Sequence, residues 1–262
     1  MYKSLFRNMP PVTKNLLIIN ILIWALMEFI PPLAAQIDRY AALYYWQSSD
    51  FQPWQLVSYL FVHANFGHLF FNMFALLMFG GIIERSLGSQ RFLFYYISCG
   101  IGAALIQEGV FTLMASHYAS LFTPQQLTFL QDNASALVHG ESVFGSPEMG
   151  MLLNTPEAAS YILLLQTPTV GASGAIYGVL LAFGVLYPNL PMYIMFVPMP
   201  IKAKWVVIGY GVIELLAGLG NIDSSVAHFA HLGGMIFGLL MLLHWRRKNV
   251  ITSGIHDDFH DL

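Results

Sequence analysis

Long apolar runs separated by short polar breaks dominate this 262-residue chain. A ~30 Å hydrocarbon core asks for about 20 apolar residues per helical crossing. At that length the runs give six spans, roughly 15–33, 66–83, 92–115, 171–187, 203–220 and 226–245. A chain in lipid must satisfy its backbone hydrogen bonds internally, so long apolar runs predict helices. The expected fold class is all-α: a polytopic membrane protein, a bundle of six transmembrane helices with an external insertion between helices 3 and 4.

Two polar stretches exceed a simple turn. The first, about 34–65, holds Tyr40, Tyr44, Tyr45, Trp46, Phe51, Trp54 and Tyr59, residues suited to a structure lying partly among headgroups. The second, about 116–170, is the main polar insertion. In it Thr123-Pro124 and Thr155-Pro156-Glu157 each read as an N-cap followed by proline at the first helical position. They predict short helices over 124–138 and 156–166, closed by Gly140 and Pro168. The chain thus divides into a short cytoplasmic N-terminus (1–14), a transmembrane domain (15–248) and a cytoplasmic tail (249–262). The tail's His256, Asp257, Asp258, His260 and Asp261 read as a solvated end rather than a metal site.

Composition agrees with the pattern. Charged residues are 10% of the chain and hydrophobic ones 56%, where a soluble domain has about a quarter charged. The net charge of −3 says little, but the placement of charge says more. If both termini are cytoplasmic, Arg39 alone of the 11 Lys and Arg residues falls outside, and none lies between Phe92 and Ile201. That asymmetry follows the positive-inside rule. Lys3, Arg7 and Lys14 precede the first apolar run as they would in a signal peptide. That run contains Glu28, however, and Leu33-Ala34-Ala35 is a poor cleavage site, so a retained span is expected. Cys99 is the sole cysteine, so no disulfide framework exists. The few scattered basic residues leave no nucleic-acid footprint. No repeat or inverted half argues for a secondary transporter.

Polar groups inside spans are costly, and each is a candidate for chemistry. Gly171-Ala172-Ser173-Gly174-Ala175-Ile176-Tyr177-Gly178 opens the fourth span. It has two readings: a serine beside unpaired first-turn N–H donors, or a packing stripe in which Gly174, Gly178 and Ala182 recur every four residues. In the sixth span His231 shares a helical face with Ala227, Gly234 and Gly238. In the second, His68 and Asn72 are four apart, hence on one face. Counting from the inner boundary at 1.5 Å per residue, Ser173 and His231 each sit about 22 Å up and Asn72 about 20 Å. Three polar side chains on three co-directional helices therefore share one level. Serine needs a base to be nucleophilic, a neutral histidine suits that task near pH 7, and an amide can hold the resulting oxyanion. No aspartate lies at this depth in those three spans. Tyr177, four residues after Ser173, is placed to support His231 by ring contact, which makes a dyad. His228 and His231 are three apart, as metal ligands can be, but no third ligand is evident, and no metal or cofactor is expected. Glu214 falls near mid-membrane as a structural group or the lining of a wet cavity, with no role assigned. His63 reads as an interfacial hydrogen-bonding residue.

Gly171-Ala172-Ser173-Gly174, Ala230-His231-Leu232-Gly233-Gly234 and His68-Leu69-Phe70-Phe71-Asn72 resemble the motifs of the rhomboid intramembrane serine proteases. Glu84-Arg85 after Gly80-Gly81, Tyr177, and Gly234 with Gly238 fit too. The likeness covers roughly 50–245, in the family's order. It implies a rhomboid-like bundle and a metal-free endopeptidase cutting transmembrane protein substrates in or near the bilayer. It implies Ser173 as nucleophile, His231 as base, and His68 with Asn72 as oxyanion donors. Tyr177 would support the dyad, while Gly171, Gly174, Gly234 and Gly238 allow close helix packing. A bacterial-type member would sit in the cytoplasmic (inner) membrane. The alternative is a catalytically inactive rhomboid-like module that binds or chaperones membrane proteins. Two departures stand out: many members carry Trp-Arg in the first external loop, where this chain has Trp54-Gln55, and the 116–170 insertion exceeds the short loop of minimal members.

Overall fold

A computed structural model describes residues 8–138, 141, 143, 145–193, 199–220 and 228–249. The expected helix terminator Gly140, the face residue Ala227, the basic residues Lys3 and Arg7, and the tail beyond Asn249 lie outside the described residues. The architecture is helical and polytopic. Five described helices are long and apolar enough to cross a membrane: α1 (Pro11–Phe29), α4 (Phe66–Leu87), α5 (Ser89–Ala119), α10 (Ala203–Gly220) and α11 (His228–Arg247). The remaining apolar helix, α9 (Ser173–Leu186), has 14 residues. Fourteen residues extend about 21 Å, short of a ~30 Å core. Short helices fill the connections: α2 (Pro31–Ala41), α3 (Gln55–Ser58), α6 (Pro124–Val138), α7 (Pro147–Leu152) and α8 (Pro156–Gln166), with a small hairpin of β1 (Pro191–Met192) and β2 (Ile201–Lys202).

The first span is shifted from its expected 15–33 to Pro11–Phe29. Proline suits the first helical turn, and the first N–H groups need partners outside the helix. Glu84 supplies them: its carboxylate accepts from Val12 N at 3.0 Å, Thr13 N at 2.7 Å and Thr13 Oγ1 at 2.8 Å. The other end stops at Ile30, which precedes Pro31-Pro32 and leaves helical geometry at φ −130°, ψ 79°. The two expected insertion helices are present at Pro124–Val138 and Pro156–Gln166, and a third, unexpected one, Pro147–Leu152, is capped by Ser146, whose hydroxyl accepts from Met149 N. Thr123 and Gln126 form a reciprocal cap on α6, and the Thr155 hydroxyl accepts from Ala158 N on α8.

Three helices make the centre, and small residues make the approach possible. A Cβ on Gly234 would overlap the Gly174 carbonyl, one on Gly174 would meet Ala103, and one on Gly178 would lie 3.1 Å from the Gly234 oxygen. Thus α5, α9 and α11 touch backbone to backbone, and the packing-stripe reading of the glycines holds beside the chemical one. Tyr95 locks the trio by donating to the Gly178 carbonyl at 2.8 Å. A second apolar cluster sits apart: Tyr45, Ala115, Leu130, Ala134, Tyr161 and Leu165 join the first loop, the end of α5, and the insertion.

Contacts at one end of the bundle gather most of the described basic residues. Glu84 binds the start of α1 and Ser89 Oγ, Ser86 meets the Tyr187 hydroxyl after α9, and Tyr95 rings against Trp245 near the end of α11. Lys14, Arg85, Arg91, Arg246 and Arg247 belong to these same helix ends.

Candidate active site

Ser173 is the first residue of α9, reached through a glycine that no other residue replaces easily. Gly171 has φ +115°, and the His68 ring occupies the space where its Cβ would stand. Its N–H donates to the Tyr59 carbonyl at 3.0 Å, which fixes the turn into α9. As the opening residue of the helix, Ser173 has an N–H ahead of the intrahelical ladder. Its Oγ lies 2.8 Å from Nε2 of His231 on α11. Residues 58 apart in sequence are thus in hydrogen-bond contact. The serine can lose its proton to this nitrogen only in the tautomer that carries hydrogen on Nδ1.

Tyr177 lies flat against His231, ring centroids 4.2 Å apart and planes within 7°. The ring contact expected from the spacing is present. What the sequence reading left without a role is Glu214 on α10. One carboxylate oxygen accepts from the Tyr177 hydroxyl. The other is 2.6 Å from Nδ1 of His228 and 3.1 Å from Nδ1 of His231. The His231 contact is within ion-pair reach but off the N–H direction, so Nδ1 has no hydrogen bond of good angle among the described residues. Ser173, Tyr177, His228 and His231 are half-buried and Glu214 is buried. The acid at the level of His231 is not on the co-directional helices. Glu214 stands on the antiparallel fifth one, about 18 Å above the inner boundary by the same rise, within one turn of the others.

His68 stands at the entrance to α9, against Gly171. Asn72 is buried, and its Nδ2 donates to the His68 carbonyl at 2.9 Å within α4. An oxyanion role for Asn72 would use the second hydrogen of that amide, since one Nδ2–H serves the His68 carbonyl. His63 is buried edge-on to His68 at 5.1 Å between ring centroids. Burial, reinforced by His68 and opposed by the Phe61 backbone, lowers it from 6.5 to about 4, so it is neutral near pH 7.

Gln55, which follows Trp54, is fully buried and anchors the first loop. Its Oε1 accepts from Tyr44 N and Gln52 N, and its Nε2 donates to the carbonyls of Arg39 and Asp50. A neutral amide, with both donors and acceptors, can serve both kinds of partner at once.

The third group missing for a metal set is also Glu214: its oxygen and the two histidine nitrogens lie within 4.8 Å of one another. Two ligand atoms on a tetrahedral zinc stand roughly 3.3 Å apart, given bonds of about 2.0 Å. The 2.6 Å between His228 and Glu214 is closer than that and is a hydrogen-bond distance. The arrangement fits a hydrogen-bonded carboxylate better than a cation cage.

Residues 50–124 and 138–248 match a family model described as Rhomboid domain. Among curated proteins, the chain is 28% identical over 182 residues to RHOMBOID-like protein 12, mitochondrial, of Arabidopsis thaliana, covering 68% of this chain and 42% of that one. It is 26% identical over 248 residues to Rhomboid protein 1, mitochondrial, of Saccharomyces cerevisiae, covering 90% and 56%. It is 23% identical over 240 residues to Rhomboid protease GlpG of Yersinia pseudotuberculosis, covering 91% and 64%. The chain spans between two fifths and two thirds of the length of these relatives.

Proposed function

The chain belongs to the rhomboid family, and from that premise we propose that it is an intramembrane serine endopeptidase acting on transmembrane protein substrates. The observation that carries the reading is the 2.8 Å contact between Ser173 Oγ and His231 Nε2. In this reading Ser173 Oγ attacks the scissile carbonyl while His231 Nε2 takes its proton. The tetrahedral oxyanion is held by the Ser173 N–H, His68 and Asn72. His231 returns the proton to the leaving amine, and water, activated by the same nitrogen, then frees the acyl-serine. The half-buried state of Ser173 supports the second step, which needs water at the serine.

The protein is an integral membrane protein. For its orientation we infer that both termini and the basic helix ends face the inner side of a bacterial-type or mitochondrial membrane, with the 116–170 insertion outside. Support for the orientation comes from the charge asymmetry, and a mitochondrial setting is suggested by the relatives named mitochondrial.

The test is covalent labelling by a fluorophosphonate, which needs an activated hydroxyl and oxyanion donors. Wild type should label, Ser173→Ala should not, and His231→Ala should lose nearly all labelling. His228→Ala should label far better than His231→Ala. A folded wild type that neither labels nor cleaves a model transmembrane substrate overturns the protease reading in favour of a binding or chaperoning module.

A further inference from the structure

Glu214 is a buried intramembrane carboxylate beside the Ser–His pair that the chemistry above does not use. Its surroundings are specific. Tyr177 donates to Oε1, His228 Nδ1 sits at 2.6 Å from Oε2, and the same Oε2 faces His231 Nδ1 at 3.1 Å. The groups come from three helices: Glu214 from α10, Tyr177 from α9, and the histidines from α11. Tyr210 closes the far side, its ring edge-on to Tyr177 at 6.4 Å. A carboxylate has room for about four donors, so serving Tyr177 and His228 leaves capacity for His231.

We propose that Glu214 is the positioning residue for His231: held by Tyr177 and His228, its carboxylate selects the Nδ1–H tautomer and steadies the imidazolium formed when Ser173 is deprotonated. The inference rests on the protease reading above and extends its Ser–His pair to a third member. The proton balance is simple. The Ser173 proton moves to His231 Nε2 and later to the leaving amine, the Nδ1 proton stays on His231, and Glu214 remains ionised throughout. Two features make Glu214 more than a packing group. Its partners are the ring that stacks on His231 and the histidine one turn before it. Its Oε2 lies 3.1 Å from Nδ1, the nitrogen of His231 that the serine leaves unused. A buried charge shared by several donors also answers the cost of holding an acid inside a span.

The experiment compares Glu214→Gln with Glu214→Asp in the full chain, in detergent or liposomes. Readouts are fluorophosphonate labelling rate, and kcat and KM on a model transmembrane substrate. Losing the orienting carboxylate costs serine proteases about 10⁴ in kcat when the contact is linear. Here the Tyr177 stack also holds the ring and the contact is off-line, so Glu214→Gln should lose about 10- to 100-fold in kcat and labelling, with KM unchanged. Glu214→Asp keeps the charge and should fall less. A packing role predicts the reverse order, because Gln keeps the size and Asp leaves a gap. Equal rates for wild type and a folded Glu214→Gln, or Asp worse than Gln, overturn the proposal. Should Glu214→Gln not fold, Tyr177→Phe carries the test. It keeps the stacked ring and removes only the hydroxyl on Oε1, and an unchanged kcat there overturns the proposal. Chelators should leave every rate unaltered. Loss on chelation with recovery on adding zinc would show a metal site and overturn it as well. The two readings fail separately: an unlabelled wild type sinks the protease, whereas a labelled wild type with an equally labelled Glu214→Gln sinks only this role.

Discussion

Tyr177 and His231 are stacked nearly parallel, 4.2 Å between ring centroids, on helices that also exchange backbone contacts at Gly174 and Gly234. The stack restricts imidazole rotation, and the tyrosine hydroxyl extends past it to Glu214. One side chain therefore controls both the plane of His231 and the place of the carboxylate beneath it.

These two jobs can be separated by substitution. Tyr177→Phe keeps the stack, whereas Tyr177→Leu removes stack and hydroxyl together. Labelling of Ser173 should fall several-fold in the first and by about 10²-fold or more in the second, since each orienting contact governs how often Nε2 faces the serine. Equal rates in the two variants would mean that ring stacking contributes nothing.

Asn72 presents a different case, because its amide is bonded to the His68 carbonyl. As the sole oxyanion donor it would be worth about 10²–10³ in kcat. Sharing the oxyanion with His68 and the Ser173 N–H should reduce the loss in Asn72→Ala to about 10-fold. KM should stay put. An unchanged kcat in a folded Asn72→Ala protein removes it from the oxyanion site.

How much of this was legible in the chain depends on the range of the interaction. Thr123-Pro124 and Thr155-Pro156 are local signals, and both insertion helices start at those prolines. The level shared by Ser173 and His231 was readable because helix rise is fixed, and the two side chains do meet. Glu84 capping α1 from 71 residues away is not local, so the first span appeared four residues late. Gln55 could only be seen as a departure, since its value lies in carbonyls and amides that the fold brings around it. Glu214 was visible as a costly charge in a span. Its partner was hidden because antiparallel helices count depth from opposite ends.

His63 gives the protein a built-in acid sensitivity. Buried and lowered from 6.5 to about 4, it binds a proton more readily when unfolded than when folded. Its contribution to stability is complete above about pH 6.5 and is lost as pH falls toward 4, by up to about 3 kcal/mol. Thermal midpoints measured between pH 7 and 4 should therefore drop, and His63→Gln should flatten that drop. An unaltered slope in His63→Gln would place the acid sensitivity elsewhere.

The insertion tests whether the outer cluster and the central trio are energetically separate. Helix α6 falls in the gap between the two segments that match the family, 50–124 and 138–248. Its Leu130 and Ala134 pack with Tyr161 and Leu165 of α8, in a cluster that contains no residue of α9, α10 or α11. On that ground, replacing 120–165 with a short Gly/Ser linker should leave Ser173 reactive. The cut is not free, however. Tyr45 and Ala115, which remain, lose their cover, and Tyr45 is fully buried. Exposing such a side chain costs about 1.5–3 kcal/mol. Two ties should survive the excision: Glu108 accepts from Trp46 N, and Leu43 pairs with Thr169 just before α9. The shortened protein should melt lower yet label with a fluorophosphonate within about threefold of wild type, since the oxyanion donors and the base are untouched. If it folds but no longer labels, the first loop transmits the state of the insertion through Leu43 and Thr169 to the start of α9. The insertion would then be a regulator of the serine rather than a neighbour of it.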